Sequence, residues 1–234
     1  MQFKECLIRP GINVIAEFKR ASPSLGDIDP MANPAEKARL YEKGGAAAMS
    51  VLCETPRFKG SSKDLTAAKG ACKLPLLAKD FITTADRLEE VRKAGASAAL
   101  LIVRYLTDAQ LKELLAVTRS LGMDALVEAH TSDEIRRAAY VGADIIGVNC
   151  RDLETLAVDT TISERLLGEV PKGIVRVAES GVKTRADIER LFSAGANAFL
   201  IGTALMTSSD PVAKLRELLA ASSQSFDQPP ATSN

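Results

Sequence analysis

The first apolar segment of the chain reads Asn13-Val-Ile-Ala-Glu-Phe-Lys-Arg-Ala-Ser-Pro-Ser24. Its first half is apolar and β-branched, which predicts a buried strand. Glu17 and Lys19 stand two residues apart at the end of that strand, so their side chains point to the same face. A carboxylate and an ammonium beside an apolar core are costly to bury unless they pair or meet a ligand. The segment therefore predicts either a structural ion pair or one edge of a binding site.

The rest of the chain repeats the pattern of a short apolar strand followed by a helix. The further predicted strands are 46–52, 74–79, 98–103, 124–128, 144–149, 174–179 and 197–202. The predicted helices are 33–43, 61–71, 84–94, 107–121, 131–141, 163–169 and 184–194, with a last helix that Pro211 opens. Such alternation predicts a parallel sheet with right-handed crossovers.

Eight strand–helix units in 234 residues match the size of a closed (β/α)8 TIM barrel. We therefore predict an α/β protein with a single barrel domain over residues 1–221. An open, doubly wound sheet is the alternative, but no glycine-rich dinucleotide-binding motif follows the first strand. Residues 222–234, rich in Gln, Pro, Ser and Thr, are expected to be a disordered tail.

The composition excludes several classes of function. Lys+Arg and Asp+Glu both number 30, so neither charge balance nor a basic arm suggests a nucleic-acid partner. No apolar run approaches the roughly 18–20 residues needed to cross a membrane, and the N-terminus lacks the apolar region of a signal peptide. The one histidine, His130, and the four cysteines have no metal-binding spacing. We expect a cytoplasmic protein with reduced thiols and no metal site.

Polar residues stand where most of the predicted strands end. Parallel strands of a barrel bring their C-terminal ends to one mouth, where the active sites of such barrels lie. One charged residue at the end of an apolar strand would mean little, but five strands share this feature. The residues are Glu17, Lys19, Lys79, Glu128, Asn149, Arg151, Glu179 and Ser180. Their convergence predicts a site for proton transfer.

The last two strands are followed by glycine-containing loops. Ser180-Gly181 and Gly202-Thr203 place glycines where backbone N–H groups can approach an anion, and Thr203 opens a short helix. Loops after the seventh and eighth strands commonly bind phosphate in these barrels. The alternative is that both glycines only make tight turns. Because the two loops occur together in these places, we predict a phosphorylated small-molecule ligand.

Taken together, these segments resemble the indole-3-glycerol-phosphate synthase family of tryptophan biosynthesis, from about residue 13 to residue 219. The matching blocks are Ile15-Ala-Glu-Phe-Lys-Arg-Ala-Ser-Pro-Ser24, Ser50-Val-Leu52, Phe58 with Gly60-Ser61, Leu77-Ala-Lys-Asp-Phe-Ile82, Val127-Glu128, Gly147-Val-Asn-Cys-Arg-Asp-Leu153, Ala178-Glu-Ser-Gly181 and Phe199-Leu-Ile-Gly-Thr-Ala-Leu-Met206. The resemblance implies the substrate 1-(o-carboxyphenylamino)-1-deoxyribulose 5-phosphate, which loses CO₂ and water as an indole ring closes, without a cofactor. It also implies other enzymes of tryptophan biosynthesis as candidate protein partners.

The resemblance further implies roles for individual residues. Lys79 matches the principal general acid, Glu128 the base, and Lys19 a group that binds the substrate carboxylate and acts as second acid. A lysine suits acid chemistry near neutral pH where positive neighbours and a dry pocket lower its pKa. The other residues that would orient catalytic groups are Glu17, Asn149, Glu179 and Ser180. The implied substrate-binding residues are Ser22, Phe58, Phe81, Arg151, Gly181, Gly202 and Thr203.

The chain departs from the family at its start. About a dozen residues precede the first strand, too few for the family's helix over the barrel mouth, so most of that extension is expected to be missing. A phosphoribosyl-anthranilate isomerase is one alternative, but that chemistry favours a cysteine and an aspartate where Glu17 and Lys19 stand. A non-catalytic barrel that binds a phosphorylated ligand is another. His130 is expected to support its loop and to take no part in the chemistry.

Overall fold

A computed structural model describes residues 2–151 and 160–220 of the chain. In chain order, its strands are β1 (Asn13–Phe18), β2 (Ala21–Ser22), β3 (Gly26–Asp27), β4 (Ala48–Leu52), β5 (Leu76–Lys79), β6 (Ala98–Ile102), β7 (Asp124–Ala129), β8 (Ile145–Asn149), β9 (Val175–Glu179) and β10 (Ala198–Ile201). β2 and β3 form a small antiparallel ribbon. The others form a closed parallel barrel in the order β1-β10-β9-β8-β7-β6-β5-β4, and β1 pairs with β4 to close it. The predicted closed barrel is confirmed, and the alternative of an open, doubly wound sheet is wrong.

Helices alternate with the barrel strands. They are α1 (Phe3–Leu7), α2 (Pro34–Gly44), α3 (Ser62–Ala71), α4 (Ala85–Lys93), α5 (Asp108–Ser120), α6 (Ser132–Tyr140), α7 (Thr160–Glu169), α8 (Arg185–Ser193), α9 (Thr203–Met206) and α10 (Pro211–Leu219). Threonines start several of them: the hydroxyl of Thr131, for example, accepts a hydrogen bond from the backbone N–H of Glu134. Ser61 is different, because its hydroxyl donates to the Asp64 carboxylate at 3.1 Å and makes no backbone cap.

The core has two layers, as expected for a barrel. Large apolar side chains fill the space between strands and helices, and a smaller cluster that includes Ile15, Leu77 and Leu126 fills the barrel interior. Phe3 and Leu7 of α1 belong to the interior cluster and are fully buried. The backbone N–H of Lys4 donates to Asp124, the first residue of β7, at 2.8 Å. Helix α1, which was not predicted from the sequence, therefore covers the end of the barrel opposite the mouth.

Two predictions from the sequence concern the ends of the two described ranges, 2–151 and 160–220. Helix α7 begins at Thr160, three residues before the predicted start. The predicted tail, 222–234, lies outside the described residues. Within residues 2–151 and 160–220, no helix is both long and apolar enough to cross a membrane.

Candidate active site

A cavity of about 740 Å³ opens at the C-terminal ends of the barrel strands. Its floor is apolar and includes Leu100 and Leu200. Every residue predicted for the site lines it: Glu17, Lys19, Ser22, Phe58, Lys79, Phe81, Glu128, Asn149, Arg151, Glu179, Ser180, Gly181, Gly202 and Thr203. The topology explains this convergence, because all eight barrel strands run in the same direction and present their last residues at one end.

Lys79 lies at the centre of the charged groups. Its Nζ atom is 2.6 Å from Glu128 Oε2 and 2.7 Å from Glu179 Oε2, so three strands contribute one ion cluster. Burial lowers the pKa of Lys79, but Glu128, Glu179 and Glu17 raise it more, and the net shift is upward. The condition under which a lysine suits acid chemistry near neutral pH, positive neighbours that lower its pKa, is not met here, since the neighbours are carboxylates. At neutral pH Lys79 is therefore a charged ammonium.

The two carboxylates beside Lys79 have opposite pKa shifts. Burial raises the pKa of Glu128. Lys79, His130 and the amide of Asn149 lower it by more than burial raises it, so the net shift is downward. Asn149 Nδ2 donates to Glu128 Oε1 at 3.1 Å. Burial raises the pKa of Glu179, the neighbouring Glu128 adds to this, and Lys79 only partly compensates. The site thus holds one ionised carboxylate and one that favours the protonated form.

Asn149 connects this cluster to the loop after β9. Its Oδ1 accepts hydrogen bonds from Ser180 Oγ at 2.8 Å and from the backbone N–H of Arg151 at 3.0 Å. Ser180 and Gly181 both have left-handed backbone conformations, with φ of 66° and 77°. A non-glycine residue in this region is strained, which is common where a loop must present its backbone to a ligand.

Glu17 and Lys19 form a second charged pair at the end of β1. Lys19 Nζ lies 2.8 Å from Glu17 Oε1, and both side chains are largely buried. Gly202 lies directly against them: a Cβ atom there would overlap Glu17 Oε1 and come within 2.9 Å of Lys19 Nζ. The glycine after β10 therefore lets this pair lie against the backbone, and any larger residue there would have to displace it.

The rim of the cavity carries an aromatic cluster. The Arg57 guanidinium lies 4.1 Å from the centre of the Phe81 ring, and Tyr105 contacts the same ring edge-on at 5.5 Å. Phe81 was predicted from the sequence but Arg57 and Tyr105 were not, since nothing in the sequence relates these separate loops. Lys183, which lines the cavity just after the Ser180-Gly181 loop, was not predicted either. The feature of the sequence that could have indicated Lys183 is its position shortly after the end of β9.

Comparison with known proteins agrees with the resemblance seen in the sequence. The model of the family described as indole-3-glycerol phosphate synthase matches residues 1–218. The indole-3-glycerol phosphate synthase of Mycolicibacterium smegmatis is 49% identical over 215 residues, 92% of this chain and 79% of that protein. The enzyme of that name from Mycolicibacterium vanbaalenii is 50% identical over 211 residues, 90% of this chain and 78% of that protein. Among solved structures, the N-acetylmannosamine-6-phosphate 2-epimerase of Clostridium perfringens has a TM-score of 0.65 at 17% identity, covers 85% of this chain and 88% of that chain, and shares the fold alone.

Proposed function

The chain belongs to the indole-3-glycerol phosphate synthase family, and we propose that Lys79, Glu128 and Lys19 carry its proton transfers. The family reaction closes the indole ring of 1-(o-carboxyphenylamino)-1-deoxyribulose 5-phosphate and releases CO₂ and water. The observation that supports these roles is the charged cluster around Lys79, with Nζ within 2.7 Å of two buried carboxylates at the mouth of the barrel. The biosynthetic family also supports a cytoplasmic location.

Lys79 acts as the acid for ring closure. The aromatic carbon that bears the carboxylate attacks the ribulose carbonyl carbon, and the carbonyl oxygen takes a proton from the Lys79 ammonium as the new bond forms. The neighbouring Glu128 carboxylate is the main group that keeps this ammonium charged. The proton moves because negative charge builds up on the carbonyl oxygen only in the transition state. The carboxylate then leaves as CO₂, and its bonding electrons return to the ring system.

Glu128 and Lys19 complete the reaction. Dehydration needs a donor for the leaving hydroxyl and a base that removes a proton so that the ring becomes aromatic. Glu128, the ionised member of the carboxylate pair, is the base. Lys19, held by Glu17 at 2.8 Å, binds the substrate carboxylate and then serves as the second acid. Glu179 keeps Lys79 in place through its 2.7 Å contact.

The phosphate binds between the loops after β9 and β10. Gly181, Gly202 and Thr203 line this side of the cavity with backbone that an anion can approach closely. Lys183 adds a positive charge nearby. Phe58 and Phe81 lie at the rim, where the anthranilate ring stacks, and Arg151 and Ser22 contact the substrate from the sides.

The substitution Lys79→Met tests the assignment of the acid. We expect indole formation, followed by product fluorescence, to fall on the order of 100- to 10,000-fold. The affinity for a substrate analogue that keeps the carboxylate but has its ribulose carbonyl reduced to an alcohol, measured by calorimetry, should stay close to that of the unmodified protein, because the Lys79 contact is made mainly in the transition state. Lys19→Met is the matched comparison, and it should lower both affinity and turnover. If Lys79→Met keeps its turnover and loses affinity, the two lysine roles are exchanged.

A further inference from the structure

A cation lies over the ring of Phe81, one of the two phenylalanines at the rim of the cavity. Phe81 follows β5, lines the cavity and packs against the apolar cluster of the barrel interior. The guanidinium carbon of Arg57 lies 4.1 Å from the centre of this ring, and Tyr105 meets the ring edge-on, with the two ring planes 67° apart. Arg57 is half exposed and does not itself line the cavity, so it can act on the site only through the ring.

Glu54 fixes the position of this guanidinium. Its Oε1 atom accepts a hydrogen bond from Arg57 Nε at 3.0 Å. Its Oε2 atom accepts hydrogen bonds from the backbone N–H groups of Arg57 at 2.8 Å and Phe58 at 3.1 Å. The Glu54 side chain is 10% exposed, so these contacts are shielded from water. One carboxylate therefore holds both the cation over Phe81 and the backbone of Phe58, the other phenylalanine at the rim.

The loop that carries Glu54 and Arg57 is closed on itself and anchored to β4. The backbone N–H of Gly60 donates to the carbonyl oxygen of Glu54 at 2.9 Å, and the Thr55 hydroxyl donates to the carbonyl oxygen of Gly60 at 2.9 Å. A Cβ atom at Gly60 would overlap the carbonyl oxygen of Leu52, the last residue of β4, so the end of the loop lies directly against the strand. The loop after β4 is thus a preorganised support for a ring that follows β5.

We propose that Arg57, held by Glu54, is a positioning residue that fixes the Phe81 ring for binding of the aromatic ring of the substrate. The proposal rests on the stacking role proposed above for Phe81. An arginine side chain is always charged in a protein, and a cation over an aromatic face is attracted by the quadrupole of the ring. Because Phe81 is ordered before the substrate arrives, less conformational entropy is lost on binding. Arg57 takes no part in the proton transfers, so its effect falls on affinity.

Steady-state kinetics separate this binding role from a role in the chemistry. Arg57→Met keeps a long side chain but removes the charge, and we expect KM to rise about two- to fivefold, the scale of one exposed cation–π contact, while kcat changes by less than about twofold. Arg136→Met is the matched control, because Arg136 makes an ion pair of the same spacing and length, with Asp133 at 3.0 Å, but lies on α6 outside the cavity. Its KM should stay unchanged. A loss of kcat at constant KM in Arg57→Met would overturn the proposal, and so would equal KM values in the two variants.

A double-mutant cycle tests whether Arg57 acts through the Phe81 ring. Calorimetry measures the affinity for the substrate analogue with the reduced carbonyl in Arg57→Met, in Phe81→Leu and in the double variant. We expect each single change to weaken binding, and Arg57→Met to have no further effect once Phe81 is replaced. Losses that multiply in the double variant would contradict the proposal.

The same measurements distinguish this inference from the proposed function. If Phe81→Leu binds the analogue as tightly as the unmodified protein does, the stacking role proposed for Phe81 fails. If Phe81→Leu weakens binding and Arg57→Met does not, only the positioning role of Arg57 is wrong.

Discussion

At the scale of single residues, the sequence predicts which groups meet but not how they ionise. Lys79, Glu128 and Glu179 could be predicted for one site because each ends a short apolar strand, and parallel strands share an end. The family resemblance assigns Glu128 and Glu179 different roles, but the positions of the two residues in the sequence do not show that they ionise differently. Their pKa shifts differ in sign because Glu128 has an amide and an imidazole beside it, whereas Glu179 Oε1 has no hydrogen-bond partner among the described residues.

The opposite shifts predict opposite effects on stability. The folded-state pKa of Glu179 is raised to about 8, so ionising it in the folded protein costs stability, and this cost grows as pH rises from about 4.3 to 8. Glu179→Gln removes the cost. We expect it to raise Tm by about 3 °C at pH 8, the scale of 1 kcal/mol, and to change Tm little at pH 4.5. Thermal unfolding followed by circular dichroism at the two pH values measures this.

Glu128→Gln is the comparison of opposite sign. The folded-state pKa of Glu128 is lowered, so the ionised Glu128 carboxylate contributes stability above about pH 4.3. That contribution is lost as pH falls through the folded-state pKa. Glu128→Gln should therefore lower Tm at pH 8. If both variants shift Tm in the same direction at pH 8, the assignment of the proton to Glu179 is wrong.

At the scale of elements, long periodic segments were predictable and short ones were not. The barrel strands follow from apolar runs, and the helix starts from threonines that cap them. Helix α1 and the β2–β3 ribbon have too few residues for a periodic signal. Their stability comes from contacts with distant parts of the chain. The same limit applies to Gly147, whose role depends on its contact with Glu179, 32 residues away in sequence.

Gly147 gives a prediction about how β8 and β9 fit together. A Cβ atom at this position would overlap Glu179 Oε1, so Gly147→Ala must displace the carboxylate that contacts Lys79. We expect kcat to fall about 100-fold, the effect of misplacing a group by about 1 Å. Gly70→Ala is the control, since Gly70 lies in α3 with open space around it and should keep full activity. Equal activity of the two variants would show that the Glu179 contact is unimportant for turnover.

At the scale of the whole molecule, the two ends of the barrel have different tasks. The mouth concentrates charged groups around a cavity, while the opposite end is sealed by apolar side chains. The number and spacing of strands predicted closure of the barrel, because eight parallel units of this length fit that shape. What seals the closed end could not be predicted, since a five-residue helix carries no pattern that points into a barrel.

The substitution Phe3→Ala tests whether the closed end of the barrel contributes stability independently of the charged mouth. Its ring is fully buried in the barrel interior, whereas Ile8, just after the same helix, is 55% exposed. Phe3→Ala should lower the free energy of unfolding by about 3 kcal/mol, the low end for a buried phenylalanine, because fraying of α1 relieves part of the cavity. Ile8→Ala should change it by less than about 0.5 kcal/mol. Urea unfolding measures both values, and turnover at 25 °C should stay unchanged in the folded Phe3 variant, since the cluster around Lys79 lies at the other end of the strands. A Phe3 variant as stable as the Ile8 variant would mean that α1 does not seal the barrel, and one that is stable but inactive would mean that the two ends are coupled.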